Sequence, residues 1–281
     1  MNHFMDAAQN AKDLTSILSL LDIKTQWLLR LHTVNNIDDI DGFALQIINK
    51  CLTSLKTLST ICTLCKDYPS ANTVLRMVID SISVYNIVYA TSDAEEREYR
   101  HYLYVKDSIT ARMSTMEEKL ENNGSISAED FDKLQKQYED TTKSDRAVVQ
   151  YCDSILSKHT YSGLYPEFHQ QALEHCNWRY KDKVFRSKVN KNRYSWEELY
   201  ILFDSRKDIQ TFISTHLSQF VHGLCVSNIA IEESEENFAA LLSFGLVAAG
   251  KLRDFLKLLF PDDTIIYAEY LKLYNAEAVK G

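Results

Sequence analysis

Apolar residues recur at steps of three and four along most of the chain, the spacing of one face of an α-helix. Over about 5–33, Leu14, Ile17, Leu18, Leu21, Leu28 and Leu31 fall on one stripe. In the next segment Ala44, Ile48, Cys51, Leu55, Leu58, Cys62 and Cys65 alternate steps of four and three, the seam of a coiled-coil-like neighbour. Together these predict an N-terminal helical hairpin over 5–66. Tyr68-Pro69 reads as its end, because the residue before a proline leaves the α region. With Ser70 as its cap, a third helix over about 71–91 carries Val74, Leu75, Met77, Val78, Ile79, Ile82, Val84 and Ile87. It is apolar nearly all round, and such a helix belongs at the centre of a bundle.

Start and stop signals divide the remainder. Ser92-x-x-Glu95 is the capping box of a fourth helix, which Asn122-Asn123-Gly124 ends. Ser127-x-x-Asp130 opens a polar helix running to about Lys158, highly charged over Lys133 to Arg146. Residues 159–195 are irregular apart from a short helix near 167–177. Ser195-x-x-Glu198 and Ser205-x-x-Asp208 open two more helices, the second with Ile209, Ile213, His216, Phe220 and Leu224 inward. C-terminal helices over 235–278 close the pattern: one spaces Leu241, Gly245, Ala248, Leu252, Phe255 and Leu259, and a terminal one covers about 264–278. The expectation is an all-α protein, one domain over 1–281, a multi-helix bundle of about nine or ten helices around the central apolar helix.

Composition supports long helices, since the whole chain holds only 7 Gly and 3 Pro. A formal charge of −8 argues against nucleic-acid binding by the surface at large, though not by a local patch. The longest apolar stretch, Phe238 to Gly250, falls short of a membrane span, and the N-terminus lacks the pattern of a signal peptide. Six cysteines lie mainly in apolar helical contexts, which fits reduced core thiols and a cytoplasmic location.

Two polar pairs stand out on apolar helices. Arg76 and Asp80 are four residues apart, so their side chains can meet on one face. They read either as a buried ion pair that orients helices or as a cleft-lining cation steered toward a phosphate or carboxylate. Ser218 and His222 share a face in the same way, while His216 falls on the apolar stripe and reads as a core histidine. No nucleophile elbow accompanies the serine. These four residues are the candidates for a polar pocket or for catalysis. A basic segment forms the candidate binding site: Arg179, Lys181, Lys183, Arg186, Lys188 and Arg193, interleaved with Trp178, Tyr180, Phe185, Tyr194 and Trp196. Cations for phosphates beside aromatics for bases are what single-stranded RNA requires, and a solvated loop is the other reading. Cys62-x-x-Cys65 continues the apolar seam and has no second half-site, so no metal is expected. The absence of a Gly-rich phosphate loop likewise argues against a nucleotide cofactor. A protein partner, taken on the charged helix at 128–158, or a second copy of the chain completes the expected partners.

The stretch Tyr68-Pro-Ser-Ala-Asn-Thr-Val-Leu-Arg76-Met-Val-Ile-Asp80-Ser, with Glu95–Tyr104, resembles a mainly bacterial all-helical family whose activity is not established. That family carries an Arg-x-x-x-Glu helix and, later, a Ser-x-x-x-His helix. Here Ser195-Trp-Glu-Glu-Leu199 and Phe212 through Leu217-Ser218-Gln-Phe-Val-His222-Gly223 match the later part. Asp80 replaces the usual Glu, and Phe212 or Thr215 the usual Tyr. The resemblance spans about 65–230 and implies Arg76, Asp80, Ser218 and His222 as site residues. A second, weaker similarity is to HEPN helical proteins, many of them ribonucleases of toxin and anti-phage systems. Their Arg-x4–6-His motif is absent: Arg97 and His101 stand too close, and Arg206 and His216 too far apart. Ribonuclease activity would need Arg76 and His222 to meet across helices. The reading is a ligand- or partner-binding module with a polar pocket, with an HEPN-like ribonuclease or defence effector as the alternative.

Overall fold

A computed structural model describes residues 6–33, 36–115, 121–122, 124–183, 192–222 and 234–261, and every regular element among them is a helix. In chain order these are α1 (Ala7–Leu29), α2 (Ile40–Thr60), α3 (Tyr68–Val88), α4 (Ala94–Thr115), α5 (Ala128–Lys158), α6 (Thr160–Leu164), α7 (Pro166–Glu174), α8 (Trp196–Phe203), α9 (Lys207–Thr211), α10 (Ser218–Val221) and α11 (Glu235–Leu259). A wider π turn, Ile61–Cys65, prolongs α2, and a second one, Phe212–Leu217, joins α9 to α10. The expected terminal helix at 264–278, and Arg186 and Lys188, lie outside the described residues.

The chain forms two compact units where the sequence pattern suggests one domain: Met1–Ala90 with Ser195–Gly281, and Thr91–Tyr194. The family-like span of 65–230 therefore crosses both. In the first unit α3 packs against α2, α8, α10 and α11, as its nearly all-round apolar surface requires. Leu45, Ile48, Leu52, Leu55 and Leu58 of α2 are fully buried, each contributing about 2 kcal/mol by removal from water. α11 lies against α1 and α2 across Gly245. A Cβ at that glycine would stand 3.1 Å from Leu14 Cδ2 and 3.3 Å from Leu58 Cδ2, so its absence sets the close approach. Leu31, placed on the α1 stripe by spacing, lies beyond the helix end and is exposed.

The second unit is a hairpin of α4 and α5 closed by α6, α7 and an irregular segment. Arg112 pairs with buried Asp145, and Lys106 with Asp153 at 2.6 Å, fixing the antiparallel register. Its core is aromatic: Tyr99 stands 4.9 Å from Tyr161 and 5.9 Å from Phe168, and Phe168 stands 4.8 Å from Tyr180, between ring centroids. A separate core explains a separate unit, although its long helices read as polar.

Helix starts follow local chemistry, not always at the expected residue. Ser195 and Glu198 form the full capping box, and Ser127 caps α5. For α3 the cap is Asp67 rather than Ser70: it accepts from Ser70 N at 3.1 Å, and Pro69 is thus an early helical residue. Proline is tolerated there because its missing N–H has no helical partner to lose. α2 ends instead at Lys66, whose left-handed φ of 54° breaks the helix after the π turn. Asp93, not Ser92, receives the Glu96 N–H at the start of α4. α9 has Arg206 at its cap with no side-chain bond, so Ser205 does not act as one.

Candidate functional site

Arg76 and Asp80 do meet, on the α8-facing side of α3. Arg76 Nε donates to Asp80 Oδ1 at 2.9 Å. Its Nη1 donates to the Ile213 carbonyl in the second π turn, and its Nη2 to the Tyr200 hydroxyl. Tyr200 in turn donates to Asp80 Oδ1 at 3.0 Å, and the guanidinium lies 4.7 Å from the Tyr200 ring centroid. Each arm of the fork thus has an acceptor, and the side chain is only 13% exposed. The arrangement ties α3 to α8 and to the π turn, satisfying a carbonyl through a planar donor set that Lys would not reproduce. Burial pushes the Asp80 carboxyl above its ordinary value, outweighing the pull of Arg76 and the Tyr200 hydroxyl.

Ser218 and His222 do not join them. His222 is exposed at the end of α10, where its backbone N–H donates to the Ser218 carbonyl at 3.2 Å. No direct bond therefore joins Ser218 or His222 to the Arg76–Asp80 pair among the described residues. His216 is held instead: its Nε2 shares a hydrogen bond with the Tyr68 hydroxyl at 3.2 Å, and Phe212 stacks on its ring at 5.0 Å. Burial holds the His216 imidazole below its ordinary value, favouring the neutral ring.

The described ends of the basic segment pair with each other. Lys181 N donates to the Asn192 carbonyl at 3.1 Å, and Tyr194 N to the Arg179 carbonyl at 2.8 Å, an antiparallel pairing with Tyr180 opposite Arg193. Residues alternate sides in such a pairing. Trp178 and Tyr180 accordingly turn inward, 4% and 1% exposed, while Arg179 and Lys181 turn outward. Lys181 Nζ lies 5.4 Å from the Tyr194 ring centroid and Arg179 5.5 Å from that of Trp178. Arg193 carries a buried Nε with no hydrogen-bond partner among the described residues.

Arg100 holds the base of this pairing. It donates to the Trp178 carbonyl at 2.7 Å and the Tyr180 carbonyl at 3.1 Å, and lies 3.7 Å from the Tyr180 ring centroid. Glu96 takes two of its remaining bonds. Lys183 belongs to the same cluster and not to the outer face: it donates to the Tyr161 hydroxyl and lies 3.2 Å from Glu96 and 3.5 Å from Asp93. Burial pushes the Glu96 carboxyl up, but Arg100 and Lys183 together hold it below its ordinary value. Of the described binding candidates, then, Arg179 and Lys181 lie on the outer side of the pairing, Arg193 shares the inner side with Tyr180 opposite it, and Lys183 is internal.

Sequence reasoning missed Arg100, Asn192 and Tyr200. The available signal for the pairing was the alternation Trp178-Arg179-Tyr180-Lys181, a period of two that marks an extended segment. Elsewhere in the second unit, Tyr99 and His169 share a hydrogen bond at 2.9 Å, and His159 accepts from Tyr161 N at 3.2 Å. α5 presents a hollow lined by Tyr138, Thr142, Lys143, Arg146 and Gln150. No helix among the described residues is long and apolar enough to cross a membrane. No family model, curated protein or solved structure matches this chain.

Proposed function

We propose that this chain is a binding protein for a polyanionic ligand, with single-stranded RNA as the class, working through the outer face of the pairing of 179–181 with 192–194. The observation that carries the reading is Lys181 over Tyr194, with Arg179 beside it, on a pairing clamped from beneath by Arg100. A half-exposed ring offers a base a stacking surface, and the flanking cations meet phosphates. A rigid base lowers the ordering cost of binding, since the backbone that carries these side chains is already fixed. A local patch of this kind functions within a chain of net charge −8 because salt screens charges beyond about 10 Å at 0.1 M.

Fluorescence anisotropy with a labelled single-stranded RNA tests the reading. Wild type should bind with an affinity that falls as salt rises. Lys181→Ala and Tyr194→Ala should each weaken binding about tenfold, while leaving the fold intact. Lys183→Ala should lower stability instead, because its ammonium is internal. Absence of binding, or equal binding by the Lys181 and Tyr194 variants, would reject the proposal. The ribonuclease alternative is read from the same mixtures on a gel: RNA that stays whole rules it out, and cleavage abolished by His222→Ala would favour it.

A further inference from the structure

α1 and α2 run antiparallel, held by Lys56 to Asp22 at 2.7 Å and by Gln26 Nε2 donating to Asn49 Oδ1 at 2.7 Å. Toward the closed end of this hairpin lies a groove of about 610 Å³, lined by Arg30, His32 and Lys50 with the amides of Gln26, Gln46 and Asn49. Its volume lies within the range of small-molecule sites, roughly 300–1,000 Å³. Among the described residues no carboxylate lines it, in a chain whose acids outnumber its bases by 39 to 31. Arg30 and Lys50 are exposed and have no ion-pair partner among the described residues. The C-terminal end of α1 accounts for a cation at Arg30, which stands at its cap, but Lys50 lies mid-helix on α2, beyond the reach of such an end effect.

His32 is the third element and the most constrained. Asp39 Oδ1 holds its Nδ1 at 2.8 Å, and the ring meets Phe260 edge-on at 6.0 Å. Asp39 is itself fixed, accepting from Gly42 N at 2.9 Å and from Thr33 N at 2.8 Å. A carboxylate on Nδ1 places the neutral ring's proton there and leaves a lone pair on Nε2. That nitrogen has no partner among the described residues. It can accept from a protonated oxygen, or donate to an ionised one once the ring is charged. A phosphate monoester presents both kinds of oxygen near neutral pH, because its second pKa is about 6. Carboxylates are ionised throughout that range and offer only acceptors.

We propose that this groove binds a small phosphate monoester, with Arg30 and Lys50 meeting the phosphate, His32 Nε2 exchanging a hydrogen bond with it, and the amides facing the organic part. An Arg fork suits two phosphate oxygens at once, and Lys supplies a point charge. The site is independent of the RNA face on the pairing of 179–181 with 192–194.

Isothermal titration of the full chain with inorganic phosphate, ribose 5-phosphate and ribose tests this, together with NMR observation of the His32 ring. Both phosphates should bind saturably and shift the His32 resonances, and ribose should do neither. Arg30→Ala and Lys50→Ala, both at exposed positions, should each weaken phosphate binding about tenfold. Lys181→Ala should leave it unchanged. Unsaturable titration by wild type, equal affinity in the Arg30 and Lys50 variants, or an unmoved His32 ring would overturn the assignment. So would loss of binding in Lys181→Ala alone, which would move the phosphate to the other unit.

Discussion

Arg76 in the first unit and Arg100 in the second solve the same problem with the same parts. Each pairs with an acid four residues away on its own helix, and each reaches far along the chain to backbone, Arg76 to one carbonyl and Arg100 to two. Each also lies over a tyrosine ring. They differ in what surrounds the acid. Glu96 faces two cations, Arg100 and Lys183, while Asp80 faces Arg76 and a hydroxyl. The two carboxyls accordingly shift in opposite directions, Glu96 down and Asp80 up. Burial is overcome by two positive charges at Glu96 and is not overcome by one at Asp80. The number of compensating charges, more than the presence of an ion pair, separates a settled node from a strained one.

The largest expected effect is Arg100→Ala. It would leave the Trp178 and Tyr180 carbonyls without their donor and Glu96 with Lys183 alone, at a cost of about 3–5 kcal/mol. Urea unfolding followed by Trp178 fluorescence should show the second unit melting early. Arg76→Ala should cost less, about 1.5–3 kcal/mol, because Asp80 is 34% exposed and water can take over part of its solvation. Equal losses would break the comparison and show that the carbonyl bonds alone set the energy.

The two nodes were not equally legible in the sequence. Arg76 and Asp80 sit on a helix so apolar that a charge there draws notice, and their spacing is local. Glu96 and Arg100 have the same spacing, but they lie within Glu95-Glu96-Arg97-Glu98-Tyr99-Arg100, where charges read as solvated. Arg100's other partners are carbonyls 78 and 80 residues away, a pairing that exists only after folding. The helical fold was readable because periodicity is local. The division into two units was less so, since the aromatic core of the second is assembled from α4, α6, α7 and the segment around Tyr180. Asp39 and His32, seven residues apart across a turn, offered no periodic signal at all.

The pH dependence of stability sharpens the same contrast. Glu96 titrates in the folded protein below its ordinary 4.5, so its contribution is present above that value and is lost as pH falls through the folded pKa. Asp80 is raised above 3.8, so the folded state holds its proton more tightly than the unfolded chain. Stability therefore falls as pH rises from 3.8 through the folded pKa, the opposite slope. Glu96→Gln should be most damaging near neutral pH and converge on wild type in acid. Asp80→Asn should gain on wild type as pH rises over the same interval. Urea midpoints at several values between about pH 3 and pH 7 decide the matter, and parallel curves for both variants would refute the charge-counting explanation.

The smallest effect is also the most discriminating, because it separates ring from hydroxyl. Tyr200 uses its hydroxyl twice, accepting from Arg76 and donating to Asp80 at 3.0 Å. Tyr180 offers Arg100 its ring face, and its own hydroxyl is buried with no hydrogen-bond partner among the described residues. Removing an oxygen that bridges two groups should cost about 1 kcal/mol, whereas removing an unsatisfied one should be neutral or slightly stabilising. Tyr200→Phe should therefore lower the urea midpoint, and Tyr180→Phe should hold or raise it. Tyr180→Leu, which deletes the ring as well, should destabilise through lost contact with the guanidinium and with Phe168. If Tyr180→Phe proved the costlier of the two phenylalanine changes, its hydroxyl would need a partner, and the two arginine nodes would be closer in design than their carboxylates suggest.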